Sequence, residues 1–457
     1  MTGTDRNDTE RRLEEGLARW LSEKASTAES AGLLDRVLAQ TETAEQVRGW
    51  TARLPTRRRP FSNGRVTLAF TAALVVVLVA GASLVGLRSA SQSAHTGAAT
   101  WVWAQVTDGR TSPALLNGTV TDVVGYGLDG NLSPSRGWYI AVGGWLSDSG
   151  TPTAGVWEAS DPGGWSRDRT NVPESDRSEY LDAAILDRVV LYDDAVVAIG
   201  STCAAGQGSS CRGATAFRWS ATSIAAMAAT SFSSCCGSNS VRYKALAAGS
   251  SRVVAVGMLS DASGLLLGAS TASSADGLTW AVEPTVGPLA GASMVGVAAG
   301  RPGFVAVGST SGTAAVWTSP DGITWTSVPR AVSSSGSLAD VAANTSVFVA
   351  VGRDGTRAAS WTSADGRTWS EAPVAPQLAA ASMERVVWTG ATFVALGRTD
   401  AGDGAAWVSD DGSTWTRLDT GSLFAGGTIR AAAPYGSDLI LFGTNRQGVT
   451  VVAVGGP

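Results

Sequence analysis

The chain has 457 residues, of which 16% are charged, and its net charge of −5 provides no global field that favours nucleic acid. Its 55 glycines and 17 tryptophans are typical of many short strands joined by tight turns, not of a helical bundle. The single histidine, His95, excludes by count a His-rich metal site or a Ser-His-Asp triad in the residues that follow it. Neither a P-loop nor a paired dinucleotide fingerprint is present, so we expect no cofactor and no nucleic acid partner.

The first 65 residues contain two stretches with apolar side chains at helical spacing, residues 9–25 and 30–41. Two short amphipathic helices bury too little apolar surface to form an independent domain. The segment therefore has two interpretations that the sequence leaves open. It is a loosely structured tether, or residues 9–41 dock on a cytoplasmic protein partner.

Residues 66–87 form an uncharged apolar stretch of 22 residues, flanked by Arg65 and Arg88. As a helix it would measure roughly 33 Å, enough to span the hydrocarbon core of a bilayer. A buried core helix is rarely apolar all round, and a signal peptide has a much shorter preceding region. The stretch therefore predicts one transmembrane helix.

The arginines on either side of this stretch predict its orientation. Five of them lie between Arg53 and Arg65, whereas only Arg88 is close on the other side. The positive-inside rule places residues 1–65 in the cytoplasm, and everything after the linker 88–99 outside the cell. We thus expect a single-pass protein of the cell membrane with an extracytoplasmic domain at 100–457.

A run of apolar residues that ends in glycine recurs seven times in this domain, for example "VAVG" at Gly257 and again at Gly308. The intervals are 57, 57, 51, 44, 45 and 46 residues. The seven glycines are Gly143, Gly200, Gly257, Gly308, Gly352, Gly397 and Gly443. A repeat of about 40–50 residues with several short strands per unit is typical of a β-propeller with four-stranded blades.

The two ends of the domain support seven blades. After Gly443 the last unit offers one further strand, from Val449, and lacks a fourth. The isolated segment 100–106, "TWVWAQV", would fill that edge and close the ring. The sequence therefore predicts an all-β, seven-bladed propeller whose last blade is closed by the strand 100–106, preceded by one transmembrane helix and a short helical cytoplasmic segment.

Four similar Asp-Gly turns join the third and fourth strands of successive units. In each, the aspartate would accept N–H bonds from its own turn, the glycine would supply a positive φ, and the serine and tryptophan would tie the two strands together. Their residues are Ser274, Asp276, Gly277 and Trp280; Ser319, Asp321, Gly322 and Trp325; Ser363, Asp365, Gly366 and Trp369; and Ser409, Asp411, Gly412 and Trp415.

These turns resemble the Asp-box of BNR repeats, which is found in sialidases, sortilin-type receptors and the propellers of photosystem II assembly factors. The family pattern is one residue longer than the turns found here. The resemblance implies that the turns lie on the face opposite the ligand site. It therefore implies a structural role for the aspartates, not a catalytic or calcium-binding one. The arginine-rich, lysine-poor composition is typical of a GC-rich bacterium of actinobacterial type.

A sialidase would need an arginine triad, a Tyr/Glu nucleophile pair and an acid aspartate. Three arginines on predicted inner strands, Arg242, Arg385 and Arg430, are candidates for the centre of the propeller. Tyr243 and Glu384 are adjacent to two of them. The Arg-Ile-Pro segment of the sialidase family is absent, and lone arginines at strand starts more often pair with a carboxylate or face solvent.

Four cysteines lie in the second repeat: Cys203, Cys211, Cys235 and Cys236. In an oxidising exterior we expect them to form disulfides, with three connectivities possible and a bond between the two adjacent cysteines the least favourable. A metal site built from the four is the open alternative.

We expect the propeller to act as a non-catalytic binding or assembly scaffold, with a protein or glycan ligand on its upper face. The longer segments Gly144–Gly155 and Ser201–Gly213 indicate the sector where a partner would dock. One alternative is an exported glycoside hydrolase of sialidase type. The other is a transmembrane regulator similar to bacterial anti-sigma factors, although the zinc-binding His/Cys motif common in those proteins is absent from residues 1–64.

Overall fold

The structure is a computed structural model, and its described part forms a closed ring of seven four-stranded sheets. The described residues belong to the unit His95–Pro457. They are residues 101–108, 115, 118–127, 137–146, 152–167, 184–203, 211–220, 223–231, 239–329, 331–332 and 336–457.

The first described strand is β1 (Val102–Asp108), and the blades follow it in chain order, each written here from its inner to its outer strand. Blade 1 contains β2 (Gly118–Gly127), β3 (Gly137–Leu146), β4 (Pro152–Ala159) and β5 (Ser166–Arg167). Blade 2 contains β6 (Ala184–Tyr192), β7 (Ala195–Cys203), β8 (Cys211–Ser220) and β9 (Ser223–Ser231). Blade 3 contains β10 (Ser240–Ala248), β11 (Val253–Ser260), β12 (Leu266–Ser274) and β13 (Ala281–Val282).

The remaining blades repeat this order of strands. Blade 4 contains β14 (Ala292–Ala299), β15 (Phe304–Thr310), β16 (Thr313–Ser319) and β17 (Thr326–Val328). Blade 5 contains β18 (Gly336–Ala343), β19 (Phe348–Asp354), β20 (Arg357–Ser363) and β21 (Ser370–Glu371). Blade 6 contains β22 (Ala381–Trp388), β23 (Phe393–Thr399), β24 (Gly404–Ser409) and β25 (Thr416–Arg417). Blade 7 contains β26 (Thr428–Tyr435), β27 (Asp438–Thr444) and β28 (Thr450–Gly456).

Blade 7 is completed by the strand from the beginning of the domain. β1 pairs antiparallel with β28, so that Val102 lies opposite Gly456 and Gln105 lies opposite Ala453. Trp101 stacks on Trp103 with 5.7 Å between ring centroids. The predicted seven blades and the predicted closure are therefore confirmed, and the sheet edge of β28 is paired.

Every inner strand has a β-bulge at the same height, and the seven glycines of the sequence repeat explain why it is there. Each glycine lies in the second strand of its blade, opposite the residue that precedes the bulge. A Cβ on any of the seven would come within 1.9–2.1 Å of a carbonyl oxygen of the inner strand. Only glycine permits so close an approach of the two backbones.

The core lies between neighbouring blades. The second strands are apolar and fully buried, as in the run from Phe348 to Val351, because each is covered by a blade on either side. The tryptophans of the third strands fill the space near the rim. Trp317, for example, is fully buried and donates from Nε1 to the carbonyl oxygen of Pro288, 3.0 Å away, which ties the connection between blades 3 and 4 to blade 4.

The helical part of the predicted fold class is wrong for the structure as described. Apart from short 3₁₀ turns at Leu115, Gly287–Leu289 and Pro376–Leu378, the described residues contain no helix. Among them no helix is long and apolar enough to cross a bilayer. The segments 1–65 and 66–87, to which the cytoplasmic and transmembrane helices were assigned, lie outside the described residues, as does the linker 88–99.

Candidate functional site

The ring has an upper and a lower face. The upper face is the one where the inner strands begin, and the lower face carries the Asp-Gly turns, because the third strand of a blade ends beside the end of its inner strand. A central channel runs between the faces, lined by the seven inner strands.

The residue after each bulge occupies an equivalent position around this channel. In four blades it is charged, with opposite charges in adjacent blades, and in three it is alanine or glycine. In order from blade 1 to blade 7 these residues are Asp122, Arg188, Ala245, Gly296, Asp340, Arg385 and Ala431. The channel therefore contains two carboxylates and two guanidiniums at one level.

Asp122 of blade 1 connects its own strand to blade 2. Its Oδ1 accepts the N–H of Val123 at 3.0 Å, and its Oδ2 accepts the N–H of Val189 at 3.1 Å. Thr121, in the bulge, adds a hydrogen bond of 2.7 Å from its hydroxyl to the carbonyl oxygen of Leu186 in the same neighbour. The carboxylate thus bridges blades 1 and 2, whose inner strands do not pair with each other.

Asp340 makes the same connection between blades 5 and 6. Its Oδ1 accepts the N–H of Val341 at 2.9 Å, and its Oδ2 accepts the N–H of Val386 at 3.2 Å. The sequence reflects the duplication: "TDVV" at 121–124 is followed one blade later by "DRVV", and "ADVA" at 339–342 by "ERVV". In both cases an aspartate receives an N–H from the residue after an arginine in the next blade.

Arg385 of blade 6 reaches past blade 7 to blade 1, where it forms an ion pair of 3.0 Å with Asp122. Its Nη1 donates to the carbonyl oxygens of Thr121, at 2.6 Å, and Arg430, at 2.8 Å. Its Nε lies 3.9 Å from Asp340 Oδ2. The small Ala431 of blade 7 leaves this path open. Arg385 consequently joins three blades through its own side chain.

Burial and the neighbouring charges shift the pKa values of Asp340, Arg188 and Arg385. It raises the pKa of Asp340, an effect that the guanidiniums of Arg188 and Arg385 only partly offset. Burial also lowers the pKa of Arg188, and the like charge of Arg385 lowers it further. For Arg385, burial opposes the charged form, but Asp122 and Asp340 outweigh it and raise the pKa. Two positive and two negative charges compensate one another within the channel.

A cavity of about 350 Å³ extends from this charged level towards the lower face. Its walls are the lower halves of the seven inner strands, which are mostly valine and alanine. Arg188 lines the cavity and is partly exposed. Within the described part of the chain, its side chain makes one hydrogen bond, from Nη1 to the carbonyl oxygen of Asp187 at 2.9 Å.

The bulge residues form the upper mouth of the channel. Four of them are charged: Asp187 in blade 2, Lys244 in blade 3, Glu384 in blade 6 and Arg430 in blade 7. Burial raises the pKa of Asp187, against the charges of Arg188 and Arg242, and burial lowers the pKa of Lys244. Arg242 and Arg430 are exposed at this mouth. Charged side chains that are at least partly exposed therefore cluster at this mouth.

The three arginines chosen from the sequence do not form a sialidase-type triad. Arg385 is committed to Asp122 and to backbone carbonyls, whereas Arg242 and Arg430 lie exposed above it. Tyr243 is buried in the core between blades 2 and 3, with its hydroxyl 3.2 Å from Ser270 Oγ, and burial raises its pKa. Glu384 points to solvent and pairs with Arg398. The tyrosine and glutamate candidates are therefore apart.

The Asp-Gly turns are held by the aspartate. In the turn of blade 5, Asp365 Oδ1 accepts the N–H groups of Arg367 and Thr368 at 2.8 and 2.7 Å, and Ser363 Oγ lies 3.0 Å from it. The N–H bonds from Thr368 and Arg367 lower the pKa of Asp365 to about 2. Asp276, Asp321 and Asp411 accept the corresponding bonds in blades 3, 4 and 6.

The glycines of these turns have a second function, which the sequence analysis did not anticipate. Gly412 has a φ of +75°, and a Cβ on it would come within 2.2 Å of Val349 Cγ2 in blade 5. The other three glycines meet the second strand of the preceding blade in the same way: Gly277 meets Val197, Gly322 meets Val254 and Gly366 meets Val305. Each turn therefore connects two strands and also two blades.

The cysteines remain a prediction. Cys203 lies opposite Cys211 in the register of β7 and β8, but their side chains lie outside the described residues, as do Cys235 and Cys236. Within the described ranges no group of three His, Cys, Asp or Glu side chains is close enough to hold a metal ion.

Sequence analysis missed Asp122, Arg188 and Asp340. At this position aspartate occurs in only two of the seven blades, and so does arginine. A search for features shared by all repeats therefore passes over them. The available signal was the alternation of Asp-Val and Arg-Val at the inner strands of adjacent blades.

No protein family description matches the chain, and no curated protein matches it. Solved structures that resemble it include a mutant of Trypanosoma rangeli sialidase displaying trans-sialidase activity, with 14% identity over 58% of this chain and 53% of the sialidase, and a TM-score of 0.39. The same sialidase in complex with the inhibitor DANA has 13% identity, covers 58% of this chain and 54% of the sialidase, and gives a TM-score of 0.39.

Virginiamycin B lyase from Staphylococcus aureus has 8% identity over 77% of this chain and 99% of the lyase, with a TM-score of 0.46. The chain spans about half the length of the sialidase structures it matches. BNR membership is confirmed by none of these likenesses, and at such identities they carry no information about activity. The described residues make the chain an all-β, seven-bladed propeller with sialidase-like structural neighbours.

Proposed function

We propose that this chain is a non-catalytic binding scaffold that recognises a protein or glycan ligand with the upper face of the propeller. The observation that carries the proposal is the commitment of Arg385 to Asp122 and to two backbone carbonyls. A catalytic or substrate-binding arginine must keep donors for the substrate. Arg385 instead stabilises the ring and leaves recognition to groups above it.

The upper mouth has the character of a recognition surface. Arg242 and Arg430 are exposed there, and Lys244 and Asp187 lie partly exposed near them. Because the blades contribute their inner strands to one mouth, side chains that are distant in sequence are presented together. The longer segments Gly144–Gly155 and Ser201–Gly213 mark the docking sector that we propose beside this mouth.

The proposal includes an extracytoplasmic location, which rests on the sequence alone. The arginines between residues 53 and 65 greatly outnumber those just after residue 87. A protease-accessibility experiment on intact cells tests it, since cleavage within the Trp-rich region, residues 100–457, by external protease is expected. Full protection of that region in intact cells, with cleavage after lysis, would contradict the location.

The binding role is tested with charge reversals on the two faces. The double variant Arg242→Glu/Arg430→Glu is expected to lose capture of the ligand from a cell-surface extract or a glycan array. Arg367→Glu is the matched control, because Arg367 is exposed on an Asp-Gly turn of the lower face. Equal capture by all three proteins would contradict recognition by the upper face.

A separate assay tests the non-catalytic part. A panel of fluorogenic sialosides and other glycosides is expected to give no turnover with the purified chain above that of a heat-denatured sample. Turnover that disappears in Arg385→Ala, with the folded state retained, would instead favour the alternative of a sialidase-type hydrolase.

A further inference from the structure

We propose that the lower half of the central channel binds a small carboxylate with a short apolar tail, and that Arg188 holds the carboxylate group. This site lies on the lower side of the charged level, whereas the recognition surface proposed above lies on the upper face. The two proposals therefore stand or fall independently.

The cavity has the size and the lining of a small-molecule site. Its volume of about 350 Å³ is at the lower end of the ~300–1,000 Å³ found for small-molecule sites. The lining residues are mostly valines and alanines from all seven inner strands, with Leu191 and Trp388 among them. Charged side chains occur at one end only, where Arg188 is one of four. A ligand held by its charge at that end would lie among mostly valine and alanine residues along the rest of its length.

The two arginines of the channel differ in how many of their N–H donors bind protein acceptors. Arg385 has three acceptors from protein groups, the carboxylate of Asp122 and two carbonyls, and a second carboxylate near its Nε. Arg188 uses one of its five N–H donors on a carbonyl, counting partners among the described residues. It forms no ion pair within 4.0 Å in that part of the chain, although Asp122 and Asp340 lie close enough for their charges to oppose the lowering of its pKa by burial.

The donors of Arg188 thus need an acceptor that is not yet accounted for by protein groups. A carboxylate accepts two parallel N–H bonds from a guanidinium, the geometry that makes such pairs strong. The neighbouring Asp122 and Asp340 do not supply it, since within the described residues Asp122 pairs with Arg385 and neither carboxylate lies within 4.0 Å of the guanidinium nitrogens of Arg188. An anion at Arg188 would offset the repulsion between the guanidiniums of Arg188 and Arg385, whereas Asp122 and Asp340 would oppose it, so binding depends on the direct N–H bonds from Arg188.

The size of the cavity indicates the length of the tail. Each further CH₂ of the tail that is buried should tighten binding about fourfold. Affinity should therefore rise from acetate to butyrate to hexanoate. The matching amide, hexanamide, has the same tail and no charge, so it separates the contribution of Arg188 from that of the walls.

The purified full-length chain is titrated with acetate, butyrate, hexanoate and hexanamide. Binding is measured by ligand-observed NMR and by calorimetry. Hexanoate is expected to bind at least tenfold more tightly than acetate and than hexanamide. Arg188→Gln is expected to weaken hexanoate at least tenfold and to leave hexanamide nearly unchanged. Arg367→Gln, on the outer rim, serves as the control and should bind hexanoate as the unmodified chain does.

Three results would overturn the proposal: no binding of hexanoate at millimolar concentration, equal binding of hexanoate and hexanamide, or hexanoate binding that survives Arg188→Gln. If Arg188→Gln fails to fold, Ala248→Leu/Ala299→Leu decides the matter. These two alanines are partly exposed at the lower ends of adjacent inner strands and line the cavity. The added side chains should reduce hexanoate binding at least tenfold, and unchanged binding would place the ligand elsewhere.

Discussion

Aspartates stabilise the propeller in two regions of contrasting character. On the lower face, Asp365 is exposed and binds N–H groups of its own turn, and those bonds lower its pKa to about 2. In the channel, Asp340 is buried and binds N–H groups of two different blades, and burial raises its pKa. The same chemical group therefore acts locally at the rim and between blades at the centre.

The difference follows from what surrounds each carboxylate. At the rim, water solvates the charge, so each turn needs no counterion and can be repeated from blade to blade. In the channel an uncompensated carboxylate would be very costly, so each aspartate is matched by an arginine, and alanine or glycine fills the equivalent positions elsewhere. The rim is regular and the centre is irregular for this reason.

Removal of a channel charge tests this contrast most strongly. Arg385→Met is expected to lower the free energy of unfolding by about 3–5 kcal/mol, because Asp122 and Asp340 then share one buried arginine. Urea unfolding followed by tryptophan fluorescence measures the change. The double variant Asp122→Asn/Arg385→Met should recover at least half of the loss, since it removes one charge of each sign. A double variant that loses more than the single one would contradict compensation as the role of the pair.

The rim is tested by filling the contact that an Asp-Gly turn makes with the neighbouring blade. Gly412→Ala is expected to cost about 2–3 kcal/mol, because it combines an unfavourable positive φ with a clash against Val349. Gly355→Ala is the matched control, with a φ of +58° and no atom near the added Cβ. It should cost about 1 kcal/mol in the same unfolding experiment. Equal losses would mean that the contact between blades contributes nothing.

These two regions also explain how far the sequence could predict the structure. The blade count followed from the seven glycines because the bulge opposite them is needed in every blade. The closing strand followed from one missing edge strand, and the turn residues from their repetition. The channel network could not be predicted in the same way, since Arg385 of blade 6 finds Asp122 of blade 1 only after the ring has closed. Arg242 is exposed and its neighbour Tyr243 is buried, because adjacent side chains of one strand point in opposite directions.

Acid sensitivity distinguishes the two kinds of carboxylate. Asp365 has a folded-state pKa of about 2, below its ordinary value of 3.8, so its contribution to stability is present above about pH 4 and is lost as the pH falls through 2. At pH 6, Asp365→Ala should cost about 1–2 kcal/mol, from the lost N–H bonds of the turn. The cost should shrink clearly at pH 2. Asp365→Asn keeps an acceptor oxygen and should lose less at pH 6. A cost for Asp365→Ala that is the same at both pH values would contradict a role for the charge.

The smallest change in the free energy of unfolding is expected for an aspartate–arginine ion pair that is exposed to solvent. Arg353 of blade 5 and Asp400 of blade 6 form an ion pair of 2.9 Å, with both side chains substantially exposed. Because solvent screens this pair, Arg353→Met should change the free energy of unfolding by at most about 1 kcal/mol, and less in 0.5 M salt than in 0.05 M. The pair has the same chemistry as Arg385 and Asp122, so the ratio of the two losses measures what burial adds. A loss for Arg353→Met as large as that for Arg385→Met would mean that connection between blades, and not the buried environment, determines the strength of these ion pairs.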